Sequence, residues 1–147
     1  MLSLPNEITT IIIGYVGSDY STVLRLVCKS FKQLAPKASS KFLTTVAAQD
    51  GHLELLQWAR KNGCRWFEIT CEVAARGGHL EVLQWARSKG CPWDEETCYA
   101  AAQGGQLEVL QWARSKGCLW DERTCEAAAR GGHLEVLQWA RNNGCPE

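Results

Sequence analysis

Two rhythms of apolar residues run along the chain. Over the opening stretch, Leu4, Ile8, Ile11, Ile12, Tyr15 and Val16 fall on one stripe at helical spacing. A second stripe runs from Thr22 to about Leu26 and on through Val27, Cys28, Phe31 and Leu34, stopping at Pro36. Pro5 suits the first turn of the first helix, where its missing N–H is not needed, and Gly17 ends that helix. Asp19 or Ser21 can cap the second. Residues 1–40 are therefore expected to form a compact module of two or three helices.

Beyond that module the rhythm becomes a repeat. Gly78-His79-Leu80-Glu81-Val82-Leu83-Gln84-Trp85-Ala86-Arg87 recurs, with small changes, from Gly51, Gly105 and Gly132, a period of 27 residues. Cys64, Cys91, Cys118 and Cys145 keep the same step, as do Trp66, Trp93 and Trp120, and Cys71, Cys98 and Cys125. A unit this short cannot bury its own apolar face, so neighbouring copies must stack and share a core. Four units are expected in residues 41–147, at about 41–65, 66–92, 93–119 and 120–147.

The copy from Trp93 to Leu119 shows how a unit is written. Asp94 can accept the free N–H groups of a first turn, and Glu95 and Glu96 suit the positive end of the helix dipole. Helix A then runs to about Gln103, with Cys98, Ala101 and Ala102 facing inward and small enough for close approach. Gly104-Gly105 makes the turn. Helix B, Gln106 to about Lys116, carries Leu107, Val109, Leu110, Trp112 and Ala113, which predicts a helix covered on most sides. Gly117 ends it in a left-handed cap. The fold class is all-α, with almost no strand.

Composition removes several function classes. Hydrophobic residues at 46% and charged residues at 22% describe a globular chain, not a disordered one. The net charge is zero, split as +3 over residues 1–41 and −3 over 42–147, and neither value supplies the clustered positive charge that a phosphate backbone requires. Nucleic acid is not an expected partner. No apolar run is long enough to cross a bilayer and no basic n-region precedes an apolar core, so no membrane partner is expected and the place is the cytoplasm. The nucleus also stays open, and the host's cytoplasm if the chain is viral.

Chemistry at a metal or a nucleophile is also weighed. No Cys-x-x-Cys pair exists, and the column His52, His79 and His133 has Gln106 in its third copy, a poor zinc ligand. The cysteines are expected to be buried, reduced thiols packing as small hydrophobes, with no metal and no cofactor. Trp58, Trp85, Trp112 and Trp139 sit on the apolar face of helix B and read as core. Cysteines in identical copies lack the asymmetric constellation an active site needs, and Glu95-Glu96 and Asp121-Glu122 read as helix-start charges. No catalytic residue is expected, and the chain is not read as an enzyme.

Columns written identically are what stacking demands, so the exposed columns that change are the informative ones. They are Ile69/Glu96/Arg123, Glu72/Tyr99/Glu126 and Arg76/Gln103/Arg130, all on helix A. Successive A helices are expected to line one groove suited to another protein, with Tyr99 and Arg123 as preferred anchors because aromatic and Arg side chains dominate interface energies. The last helix B keeps Val136, Leu137 and Trp139 with no polar replacement, so either more chain follows, or a partner or second copy covers it, or it frays.

Leu4-Pro5-Asn6-Glu7-Ile8, Ile11-Ile12, Tyr15-Val16, Leu24 through Phe31 and Leu34-Ala35 resemble an F-box, over roughly residues 2–40. In that family the module docks on the Skp adaptor of a cullin–RING ubiquitin ligase while the rest of the chain holds the substrate. The resemblance implies docking through Leu4, Pro5, Ile8, Ile12, Leu24, Val27 and Phe31. It makes the chain a substrate-recruiting subunit with a Skp-type partner; the alternative is a binding scaffold or decoy whose first helices only cap the array. Residues 42–147 resemble ankyrin repeats in Ala74-Ala75, Gly78-His79-Leu80-Glu81-Val82-Leu83 and Gly90. The unit is shorter than that family's, and the missing residues fall between Trp93 and Cys98, where the family builds its β-hairpin. Glu96-Thr97-Cys98-Tyr99 replaces its "TPLH" tetrad. Short-period arrays of this kind look most like those of large DNA viruses and some protists.

Overall fold

The computed structural model describes residues 37–61 and 63–146. The helices expected before Pro36 lie outside the described residues. The chain divides into two units, residues 1–40 and 41–147. Among the described residues there are eight helices and no strand. They are α1 (Lys37–Gln49), α2 (Leu53–Lys61), α3 (Glu68–Arg76), α4 (Leu80–Ser88), α5 (Glu95–Gln103), α6 (Leu107–Ser115), α7 (Glu122–Arg130) and α8 (Leu134–Asn142).

Local chemistry explains the helix ends. Asp94 Oδ1 accepts from the Glu96 N–H at 3.1 Å, and Asp121 Oδ1 from the Arg123 N–H at 3.1 Å, so α5 and α7 each start on a carboxylate cap. In α3 the same position holds Phe67, which makes no side-chain cap bond. The second glycine of each turn, Gly105 for example at φ +70°, takes the left-handed conformation that a side chain resists.

Each A helix packs against its own B helix in the pairs α3–α4, α5–α6 and α7–α8, and α5 lies between α3 and α7. The A helices stack closely because Cys98, Ala100, Ala101 and Ala102 of α5, and Cys71, Ala74 and Ala75 of α3, are fully buried and small. Val109, Leu110 and Ala113 of α6 complete the core.

The expectation of a largely covered helix B needs correction. Leu107 and Trp112 are only half-buried, Trp58, Trp85 and Trp139 likewise, and Leu134 is 73% exposed. The physical reason is the unequal approach of the two helix rows. Ala and Cys let the A helices close up, while the broader B helices keep part of their apolar surface at the rim.

A second set of contacts clamps each repeat to the one before. His79 Nε2 donates to the Gln49 carbonyl at 2.9 Å, and His133 Nε2 to the Gln103 carbonyl at 3.0 Å. Gln106 reaches the Arg76 carbonyl at 3.5 Å, a longer version of the same bridge. These residues occupy the N-cap positions of α4, α8 and α6 but make no side-chain cap bond there, because their side chains serve the preceding repeat. The histidine column, with its Gln, is thus an inter-repeat fastening.

Candidate functional site

The variable columns form one face across the A helices. Along each helix, residues four apart pair with one another, as i,i+4 neighbours on a helix surface do. Glu72 accepts from Arg76 at 2.9 Å, Glu126 from Arg130 at 2.8 Å, and Gln103 Nε2 reaches the Tyr99 hydroxyl at 3.5 Å. The charges of α3 and α7 are thereby neutralised on the face, and α5 contributes an uncharged pair between them.

The first turns of α5 and α7 are tied together across their two repeats. Arg123 Nε donates to Asp121 Oδ2 at 2.7 Å, and its Nη1 donates to Glu96 Oε1 in the preceding repeat. Its guanidinium carbon also stands 5.8 Å from the centre of the Tyr99 ring, within cation–π range. Asp121 first, then Glu96, hold this guanidinium more firmly protonated than an ordinary arginine. The structure therefore brings the two preferred anchors, Tyr99 and Arg123, side by side with Glu96. Ile69, Glu72 and Tyr99 are half-buried, and Arg76, Gln103, Glu126 and Arg130 are exposed.

Asp121 belongs to this cluster, although the sequence pattern marks it only as a helix-start charge. Its signal was present: a carboxylate two residues before an arginine can serve the backbone N–H with one oxygen and the side chain with the other. The turns that lead into the A helices carry a ladder the sequence does not single out. Arg60, Arg87 and Arg114 lie 4.4, 4.3 and 4.2 Å above the rings of Trp66, Trp93 and Trp120. Those rings meet Trp85, Trp112 and Trp139 edge to face at 5.8, 5.7 and 5.9 Å. Because every rung is the same, this ladder is architecture, and the differing A-helix face is where one partner could be told from another.

The cysteine columns are buried throughout the described residues, and none is in a disulfide. They meet in pairs, one from helix A and one from the turn after helix B. A hydrogen bond between Cys98 and Cys118, together with burial, pushes the Cys98 thiol well above its ordinary range and brings that of Cys118 down. Cys71 is likewise raised by its bond to Cys91 and by burial. Desolvation, then the bond to Cys125, pushes Cys145 up to about 12. Among the described residues no group of three or more His, Cys, Asp or Glu is placed to hold a metal ion. Nor is any helix among them long and apolar enough to cross a membrane.

Leu4, Pro5, Ile8, Ile12, Leu24, Val27 and Phe31 lie outside the described residues. Comparison with known proteins bears on them directly: the family model described as F-box domain matches residues 1–43. No curated protein matches the chain.

Proposed function

We propose that the chain is a non-catalytic protein–protein interaction adaptor that recruits a target to a Skp–cullin–F-box ubiquitin ligase. The observation that carries this reading is the F-box match over residues 1–43, set immediately before a helical repeat array. Leu4, Pro5, Ile8, Ile12, Leu24, Val27 and Phe31 dock on the Skp-type subunit. The A-helix face holds the target: Tyr99 and Arg123 are its anchors, with Ile69, Glu72, Arg76, Glu96, Gln103, Glu126 and Arg130 around them. Repetition supports this division of labour, since a stacked array supplies a rigid surface whose exposed columns can change without disturbing the core.

The test is an affinity pull-down of wild type and a Leu4→Ala/Pro5→Ala variant from cell lysate, probed for Skp and cullin subunits. Recovery by wild type alone supports the adaptor. If neither recovers them while circular dichroism shows both folded, the adaptor reading falls and a binding scaffold capped by its first helices takes its place. The Tyr99→Ala variant separates the two halves of the proposal: it keeps the ligase subunits and loses the target.

A further inference from the structure

The two ends of a repeat differ in chemistry. The outgoing end offers a backbone carbonyl and a glycine turn, and the incoming end of the next repeat offers the side chain that covers them. At the first joint His79 Nε2 donates to the Gln49 carbonyl at 2.9 Å, and at the third His133 Nε2 donates to that of Gln103 at 3.0 Å, with Gln106 in the same place at the second. The same side chains fill the space over a glycine: a Cβ on Gly51, Gly78 or Gly105 would run into His79, Gln106 or His133 respectively. Around each of the two later joints an alanine of helix A and a leucine of helix B are sealed off, Ala75 with Leu83 and Ala102 with Leu110 all being 0% exposed.

The last repeat carries the same outgoing end, and there it faces solvent. Ala129 and Gly132 are exposed, and Leu137 is only half-buried. Leu134 is 73% exposed, whereas its counterpart Leu107 is half-buried. A Cβ on Gly132 would meet nothing within 4 Å. The next carbonyl in the series is that of Arg130, one period after Gln103. We propose that this face of α7 and α8 is a docking site for a helical hairpin of a partner protein. That hairpin presents an incoming end: small side chains on its first helix and, at the start of its second, a histidine or glutamine that donates to the Arg130 carbonyl and covers Gly132.

The occupant's chemistry is specified by continuity, because the face extends in register an interface that the chain already makes three times. A close-fitting helix also removes the apolar surface of Ala129, Leu134 and Leu137 from water, which drives the association. A second copy of this chain set end to end is the wrong complement. Two outgoing ends would place carbonyl against carbonyl and glycine against glycine, with no side-chain donor from either side, and a buried acceptor without a donor costs free energy. The site uses the main chain of Arg130 and the end of the array, not the variable side chains of the A helices, so it does not rest on the adaptor reading.

The experiment titrates the full chain, kept reduced, with a synthetic peptide of residues 120–146, which carries an incoming end, and follows the heat of binding. The expected result is saturable binding that disappears in Ala129→Arg, whose long side chain holds off the approaching helix. Leu134→Lys should weaken it about tenfold, through the loss of one leucine contact. Replacing the peptide's own His133 by Ala should weaken it roughly fivefold, as for one hydrogen bond. Ala129 and Leu134 are exposed, so circular dichroism of both variants should match wild type. Tyr99→Ala, which tests the A-helix face, leaves peptide binding unchanged. Absence of binding at millimolar peptide would overturn the proposal, as would binding that survives Ala129→Arg because the peptide has replaced the chain's own last repeat. A dimer of the full chain in sedimentation that Ala129→Arg dissolves would also sink it, since the face would then belong to a second copy.

Discussion

The guanidinium of Arg87 lies 4.3 Å above the ring of Trp93, and its Nη1 donates to the carbonyl of Cys91 between them. One side chain thus ends helix α4, fixes the turn and orients the tryptophan, whose edge-to-face contact with Trp112 at 5.7 Å joins the next helix B. The arrangement recurs at Arg60 with Trp66 and at Arg114 with Trp120.

Trp93→Ala removes both ring contacts as well as the half-buried indole, and should cost about 3 kcal/mol of unfolding free energy, at the lower end for tryptophan truncation. Arg87→Lys should not restore full stability, since an ammonium is a point donor and cannot stack flat on the indole while bonding the carbonyl. Urea unfolding of both variants against wild type checks this; equal stability of Arg87→Lys and wild type would remove the bridging role.

Two glycines to alanine should behave in the reverse of what backbone angles suggest. Gly117 has φ +80° with nothing near its missing Cβ, so Gly117→Ala meets only conformational strain, about 1 kcal/mol. Gly104 has an ordinary helical φ of −82°, yet a Cβ there would stand 2.1 Å from the Arg76 carbonyl oxygen of the preceding repeat. Because that oxygen is backbone, the two repeats must part, and Gly104→Ala should cost about 3 kcal/mol, in the range of overpacked cores. The ordering of the two midpoints in denaturant is the readout.

Thr70, Thr97 and Thr124 form a column of fully buried hydroxyls, and none of the three oxygens has a hydrogen-bond partner. A valine of the same shape removes an unsatisfied group without leaving a cavity. Thr97→Val should stabilise by about 1 kcal/mol. A loss of stability would mean the hydroxyl is served by a buried water.

Alkaline pH should weaken the fold. Cys71 and Cys98 have thiols raised well above their ordinary range, and Cys145 is raised to about 12. The unfolded thiols ionise first, near their ordinary pKa, so above that pH the unfolded state binds fewer protons than the folded one. Stability is then complete below about pH 8.5 and falls as pH rises beyond it. Thermal melts between neutral and strongly alkaline pH, under reducing conditions, should show the decline, and replacing Cys71 by Ala should reduce its slope.

Periodicity alone determined the helical repeat. Identical columns mark equivalent positions, so the extent of α5, its Asp94 cap, the Gly104-Gly105 turn and the small buried residues of helix A were all legible from one copy laid on another. The F-box match over residues 1–43 falls where the resemblance carried by Leu4 to Ala35 placed it. What periodicity could not supply is which column meets which. Trp66 meets Trp85, Cys71 meets Cys91 and His79 meets Gln49, at separations of 19, 20 and 30 residues that differ from the 27-residue period. Those separations are decided by how a hairpin folds back and how far one repeat is displaced on the next. Side chains of different length then reach different neighbours, as when Arg123 leans across to Glu96 and Tyr99. Helices are written locally, by caps, turns and spacing; contacts between them depend on packed three-dimensional distances, and only the tertiary structure decided those.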